Sequence, residues 1–163
     1  MFGIVVVILI MLKPEGGMLL SAQTDGVVTV SKDDPHMLAA HQKARDSLDR
    51  FLELAAAPPP NTAGFAVKVG ISDGDEKEYF WITPFSRNGN SFSGQVNNTP
   101  RLVSTVAEGQ EIHFDRADVV DWTYENTVDH QSFGNFTACA LLVRASKEEA
   151  AAVKAEYGLD CDT

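Results

Sequence analysis

Three groups of residues have types and spacings that could do chemistry. Glu111, His113 and Asp115 alternate with Ile112 and Phe114, so in an extended strand they share one face. Two carboxylates flanking an imidazole would ligate a metal or run acid–base chemistry, with His130 or Glu78 as a further group. No His-x-His or His-x-x-x-His pair supports a metal, so a solvated strand face is the preferred reading and no metal is assigned. Asp121-Trp122 forms a second group, in which a charge beside an aromatic face would hold a cation. The plainer account, taken first, has Trp122 filling the core and Asp121 satisfying backbone amides in a turn. The third group is Asn97, Asn98 and Thr99, with Asn135 and Thr137 further on. Their uncharged donors and acceptors suit a peptide edge or a small polar ligand, although Asn is also the residue that turns favour.

With Trp81 added, the candidate partner-binding set is Trp81, Asn97, Asn98, Asp121, Trp122, Asn135 and Thr137. No Gly-x-Ser-x-Gly elbow, phosphate-cradling loop or dinucleotide fingerprint occurs. No catalytic residue and no cofactor is therefore assigned, and the enzyme case leans towards no.

These residues need a scaffold, and the chain is long enough for one. A protein of 163 residues buries enough surface to hold a core without staples. Its 13 basic and 23 acidic residues give a formal charge of −10, which repels a phosphate backbone and excludes nucleic acid as the expected partner. A basic protein or peptide is the partner that this charge favours. Cys139 and Cys161 lack CxxC spacing. In an exported protein they would pair and tie the tail to the sheet; in a reducing compartment Cys139 is a buried apolar residue and Cys161 a spare thiol.

Residues 1–26 read as an apolar segment followed by a loop, and 27–163 as a single α+β domain. The run from Phe2 to Leu12 is almost wholly apolar. It falls short of the roughly 20 residues of a membrane-spanning helix. A strand buried on both faces over residues 4–8 is placed first. A signal-peptide core with cleavage near Ala22-Gln23 comes second, although no Lys or Arg precedes the run. A membrane anchor through residues 2–12 is third. This ordering sets a cytoplasmic location slightly ahead of export.

Residues 27–31 suggest a short strand. Asp34-Pro35 then opens a helix, with Asp34 as cap and Pro35 at the first helical position. Met37, Ala40, Ala44, Leu48, Phe51, Leu52 and Ala55 form one apolar stripe, and Pro58-Pro59-Pro60 stops the helix. From Gly64 the period becomes two. Phe65, Val67 and Val69 alternate with Ala66, Lys68 and Gly70, as a half-buried strand would. Turns at Asp73-Gly74, Asn88-Gly89, Asn97–Pro100 and Glu108-Gly109 separate strands expected around Tyr79 to Ile82, Phe92 to Val96, residues 102–106, Ile112 to Phe114, 119–124 and 133–143. The last is apolar enough to be central in its sheet. A final helix over 146–157 has a Ser146/Glu149 capping box and ends at Gly158. The expected fold is α+β: an antiparallel curled sheet or small SH3-like barrel, with an N-terminal amphipathic helix and a short C-terminal helix.

Several segments resemble one family in the same order. They are Asp33-Asp34-Pro35-His36-Met37 with the Ala-rich helix, Phe65-Ala66-Val67-Lys68-Val69, Glu78-Tyr79-Phe80-Trp81-Ile82, Phe92-Ser93-Gly94, Asn97-Asn98-Thr99-Pro100, Glu108-Gly109-Gln110, Val120-Asp121-Trp122-Thr123-Tyr124 and Gly134-Asn135-Phe136-Thr137-Ala138-Cys139. Together they resemble the YegJ-like bacterial domain-of-unknown-function family, DUF2314, over roughly residues 27–161. The resemblance implies a fold and supplies no reaction. The expected function is a protein- or peptide-binding module with a face near Trp81, Asn98, Asp121 and Trp122. The alternatives are a hydrolytic or metal-assisted enzyme using the Glu111, His113 and Asp115 face, and an immunity-like inhibitor that masks a basic toxin.

Overall fold

The computed structural model describes residues 4–8, 27–31 and 33–162. Asp34 Oδ1 accepts from the Met37 N–H at 2.9 Å and Pro35 starts helix α1, Pro35–Ala56. An N-cap carboxylate and a first-turn proline both suit the unpaired amides of a helix start. The stripe read from the sequence is its buried face: Met37, Ala40, Ala44, Leu48, Phe51 and Leu52 are all in the core.

Strands β1 (Ile4–Ile8) and β2 (Val27–Ser31) pair with each other antiparallel. The strand expected over residues 4–8 therefore forms, whereas the Ala22-Gln23 cleavage site lies outside the described residues. No helix among the described residues is long and apolar enough to cross a membrane.

The main sheet is built from β3 (Thr62–Asp73), β4 (Glu76–Asn88), β5 (Ser91–Val96), β6 (Glu111–Asp115), β7 (Val119–Asn126) and β8 (Ser132–Gly134). Its order is β6-β5-β4-β3-β7-β8, antiparallel throughout. The chain runs outward from β3 to β6, turns through a single 3-10 turn at Arg116–Asp118, and returns to lay β7 against the far side of β3. Irregular register between Ala63 and Ala66, Lys68 and Val69, and Ile82 and Phe85 bends the sheet. β6 and β8 stay unpaired with each other, so the sheet is curled and open and the SH3-like barrel does not form. Phe51 seals one side of it, stacked 4.9 Å from Trp122 and close to Phe65, Phe85 and Tyr124.

Three expectations need correction. Residues 102–106 are loop rather than strand. The backbone N–H groups of Arg101, Leu102 and Val103 are bound by the Glu78 carboxylate, so they are unavailable to a neighbouring strand. Residues 133–143 split into the short β8 and helix α2, Phe136–Leu142. An unbroken apolar run fits a buried helix as well as a buried strand, and periodicity cannot separate them. Finally, β3 is buried on both faces from Ala66 to Val69, Lys68 included.

The last helix, α3 (Lys147–Tyr157), has the expected Ser146/Glu149 capping box and a left-handed Gly158 terminator. Cys139 and Cys161 form a disulfide with Cα atoms 5.5 Å apart, so the tail is tied to α2 instead of to a strand. A closed bridge is what the exported alternative requires. Reduction of this bridge, which spans 22 residues, is expected to lower stability by about 3 kcal/mol through the freedom returned to the unfolded chain. Urea unfolding with and without reductant, repeated on Cys139→Ser/Cys161→Ser, measures it.

Candidate functional site

Six of the seven candidate residues lie inside the protein. Trp81, Asn98, Asp121, Trp122, Asn135 and Thr137 are buried, and Asn97 is exposed. Three of them, Trp81, Asp121 and Thr137, meet around Lys68, which is 2 % exposed. It stands opposite Trp81 on one neighbouring strand and opposite Asp121 on the other. Its Nζ lies 4.4 Å from the Trp81 ring centroid and donates to Thr137 Oγ1 at 2.8 Å. Thr137 Oγ1 in turn donates to Asp121 Oδ2 at 2.6 Å. A hydroxyl thus relays between a buried ammonium and a buried carboxylate.

Asp121 also accepts from the backbone N–H groups of Trp122 (2.9 Å), Phe136 (3.2 Å) and Thr137 (2.8 Å). Phe136 and Thr137 open α2, where two amides have no intrahelical partner. The local N-cap, Asn135, has a left-handed backbone and makes no side-chain cap, so a carboxylate on β7 caps the helix in its place. Asn135 is spent elsewhere, donating to Thr123 Oγ1 at 2.8 Å. Burial pushes Lys68 below the usual lysine range, opposed by the charge of Asp121. Burial likewise pushes Asp121 up, opposed by the Lys68 charge and by the hydrogen bonds from Thr137 and Trp122.

Trp122 fills the core, as the plainer account has it: its Nε1–H donates to the Ala44 carbonyl at 3.2 Å and to Ser47 Oγ at 3.1 Å. Asn98 Oδ1 accepts from the Trp81 N–H at 2.9 Å, and the Asn97 N–H donates to the Trp81 carbonyl at 2.9 Å. These two contacts moor the loop 97–110 at one end. Glu78 holds its middle, and Asp73 Oδ2 accepts from the Ser104 N–H and hydroxyl, both at 2.8 Å.

Glu111, His113 and Asp115 do share the exposed face of β6. Asp115 accepts from Ser91 Oγ at 3.2 Å. His130 follows β7 at the opposite border of the sheet, beyond reach of that face. Among the described residues no group of three or more His, Cys, Asp or Glu is arranged to hold a metal.

Lys68 and His41 are site residues that sequence reasoning missed, and Glu78, considered there only as a further group for the β6 face, instead binds the 97–110 loop. Each falls where a polar residue normally faces water, and only the cover supplied by α1, α2 and the 97–110 loop changes that. His41, half-buried on α1, lies 6.1 Å from the Tyr79 ring. Desolvation, joined by the charges of Arg45, Lys68 and Lys77, lowers its pKa from 6.5 to about 4.

A family model described as "Uncharacterized protein conserved in bacteria (DUF2314)" matches residues 34–161. The chain is 35% identical over 136 residues to "Uncharacterized protein YegJ" of Escherichia coli (strain K12), covering 83% of this chain and 86% of that protein. No solved structure matches the chain.

Two predictions follow from this geometry. Lys68→Ala and Asp121→Ala should each destabilise by about 3–5 kcal/mol, because each strands an uncompensated buried partner. The double variant should lose less than the sum of the two, as read by urea unfolding. For His41, the folded pKa of about 4 lies below the unfolded 6.5, so the unfolded chain holds a proton that the folded chain does not. Its contribution is present above pH 6.5 and is lost as the pH falls towards 4. His41→Gln should flatten the stability–pH curve across that window, and an NMR titration of the ring should give a midpoint near the lower limit.

Proposed function

The chain belongs to the DUF2314 family of uncharacterised bacterial proteins, and we propose that it is a protein- or peptide-binding module that takes a basic, extended segment along the open edge of its sheet. The observation that carries this reading is the outer side of β6. Val96 N–H donates to the Gln110 carbonyl at 2.9 Å and Arg116 N–H to the Asn90 carbonyl at 2.8 Å, which sets the hydrogen-bonded alternation along β5 and β6. Residues 110, 112, 114 and 116 therefore bond inward, and the N–H and C=O groups of Glu111 and His113 point away from the sheet. The Asp115 N–H is already taken by Asp118 Oδ2 at 2.9 Å.

An outward row of backbone groups is a template for strand addition. The side chains beside it choose the partner. Glu111, Asp115 and Asp118 are exposed there, on a chain of formal charge −10. A second copy of the same edge would place carboxylate against carboxylate, whereas a segment with Lys or Arg at alternate positions would meet opposite charge across the new pair. An immunity-like role against a basic toxin is a special case of the same chemistry.

His113→Pro tests the proposal cleanly. It removes one outward N–H and leaves every bond to β5 intact, which an edge position tolerates. Wild-type protein should bind an alternating Lys/Val peptide in a salt-sensitive way and ignore its Glu/Val counterpart, as read by fluorescence anisotropy. His113→Pro should weaken that binding by about tenfold with the fold retained. Equal binding of both peptides, or an unaffected His113→Pro variant, rules the edge out.

A further inference from the structure

On this acidic chain, α1 and β4 bring several positive groups together. His41 and Arg45 lie one turn apart on α1, while Lys77 and Tyr79 share a face of β4. Lys77 Nζ lies 5.5 Å from the Tyr79 ring centroid, and the His41 ring lies 6.1 Å from it. Arg45, one turn beyond His41 on the same helix face, acts electrostatically on both His41 and Tyr79. Buried Lys68 adds a further positive charge acting on His41. Lys77 reaches its position by folding over Gly70: a Cβ there would run into Lys77 Cε and come within 2.8 Å of the Tyr79 ring.

Among the described residues these groups have no acceptor. Among the described residues, no carboxylate lies within ion-pair distance of Arg45 or Lys77. The His41 imidazole and the Tyr79 hydroxyl have no hydrogen-bond partner there either. Arg45 is exposed, His41 and Lys77 are half-buried and Tyr79 is buried in the core, and among the described residues no side-chain nitrogen or oxygen is fully sealed without a partner. Like charges held together raise one another's free energy.

We propose that His41, Arg45, Lys77 and Tyr79 form a binding site for a small oxyanion, the phosphate or carboxylate group of a ligand. The Arg45 guanidinium offers a planar fork for two oxygens and Lys77 a point charge. The neutral His41 ring and the Tyr79 hydroxyl each supply one further donor. The site rests on different residues from the β6 edge and does not depend on the edge binding anything.

The full chain is titrated with inorganic phosphate and with acetate, against sodium chloride of equal ionic strength, with thermal unfolding and His41 ring NMR shifts as readouts. A saturable rise in Tm and a saturable His41 shift are expected with an oxyanion and not with chloride. A response to phosphate alone assigns a phosphorylated ligand; a response to both assigns oxyanions generally. Arg45→Gln/Lys77→Gln should weaken binding by about tenfold for each donor removed. Arg50→Gln/Lys147→Gln, which removes the same charge from elsewhere on the surface, should leave it unchanged. Tyr79→Phe keeps the ring and the fold and should also weaken binding. The absence of a saturable response to either anion, or equal weakening in the Arg50/Lys147 control, overturns the proposal.

Discussion

Lys68 has to find inside the protein what water otherwise gives an ammonium. Taking an isolated charge out of water is prohibitive, so a buried lysine persists only where the fold supplies a counter-charge and hydrogen bonds. Here the counter-charge is Asp121 on the adjacent strand, the hydrogen bond comes through Thr137, and the Trp81 ring lies against the ammonium. Each of those groups sits on a different element. Satisfying one charge therefore fixes β3 between β4 and β7 and draws the start of α2 onto the sheet. The capping of α2 by Asp121 is the same constraint seen from the helix: a carboxylate held for Lys68 also answers two free amides and the positive end of a helix.

The 97–110 loop obeys a related rule. Its two ends bond to β4 and β5 through the backbone, but the N–H groups of residues 101–104 have no strand partner and carboxylates take that role. Glu78 is fully buried and accepts from three successive N–H groups, and Asp73 takes the next, Ser104. With Asn98 bound to the Trp81 backbone, this long connection is fixed by polar side chains projecting from β3 and β4. Val103 then sits in the core beside Phe80 and Val96. Two buried side chains that a sequence reader would send to the surface, Glu78 and Asn98, and the half-buried Asp73 satisfy this irregular backbone.

Charge divides the remaining surface into two kinds. Most of it is acidic, including the exposed face of β6, where outward backbone groups and carboxylates coincide. The region around Tyr79 has the opposite sign, built from α1, β3 and β4. The two regions would select ligands of opposite charge. A partner that carries both a basic strand and an anionic group would find complementary features on the same chain.

Local patterns in the sequence determined the elements whose signals are complete within a few residues. The α1 cap and stripe, the Asp73-Gly74 hairpin, the alternation of β5 and β6, and the Ser146/Glu149 box are all of this kind, and the α+β class follows from them, with a curled sheet and a small barrel both left open. The motifs also identified the family, and they placed Asp121, Asn135 and Thr137 among the candidate partner-binding residues. Tertiary structure alone put Asp121 and Thr137 beside a buried Lys68 and Asn135 on Thr123. Lys68 reads as the polar half of an alternating strand until α2 covers it, and α2 reads as a strand because its cap lies on β7, 15 residues before Phe136. Residues 102–106 read as a strand because nothing nearby in sequence announces Glu78, 23 residues before Arg101. Local sequence records hydrophobic period and capping chemistry; it does not record which distant polar group will meet an orphaned amide or a buried charge. That pairing exists only once the layers have packed.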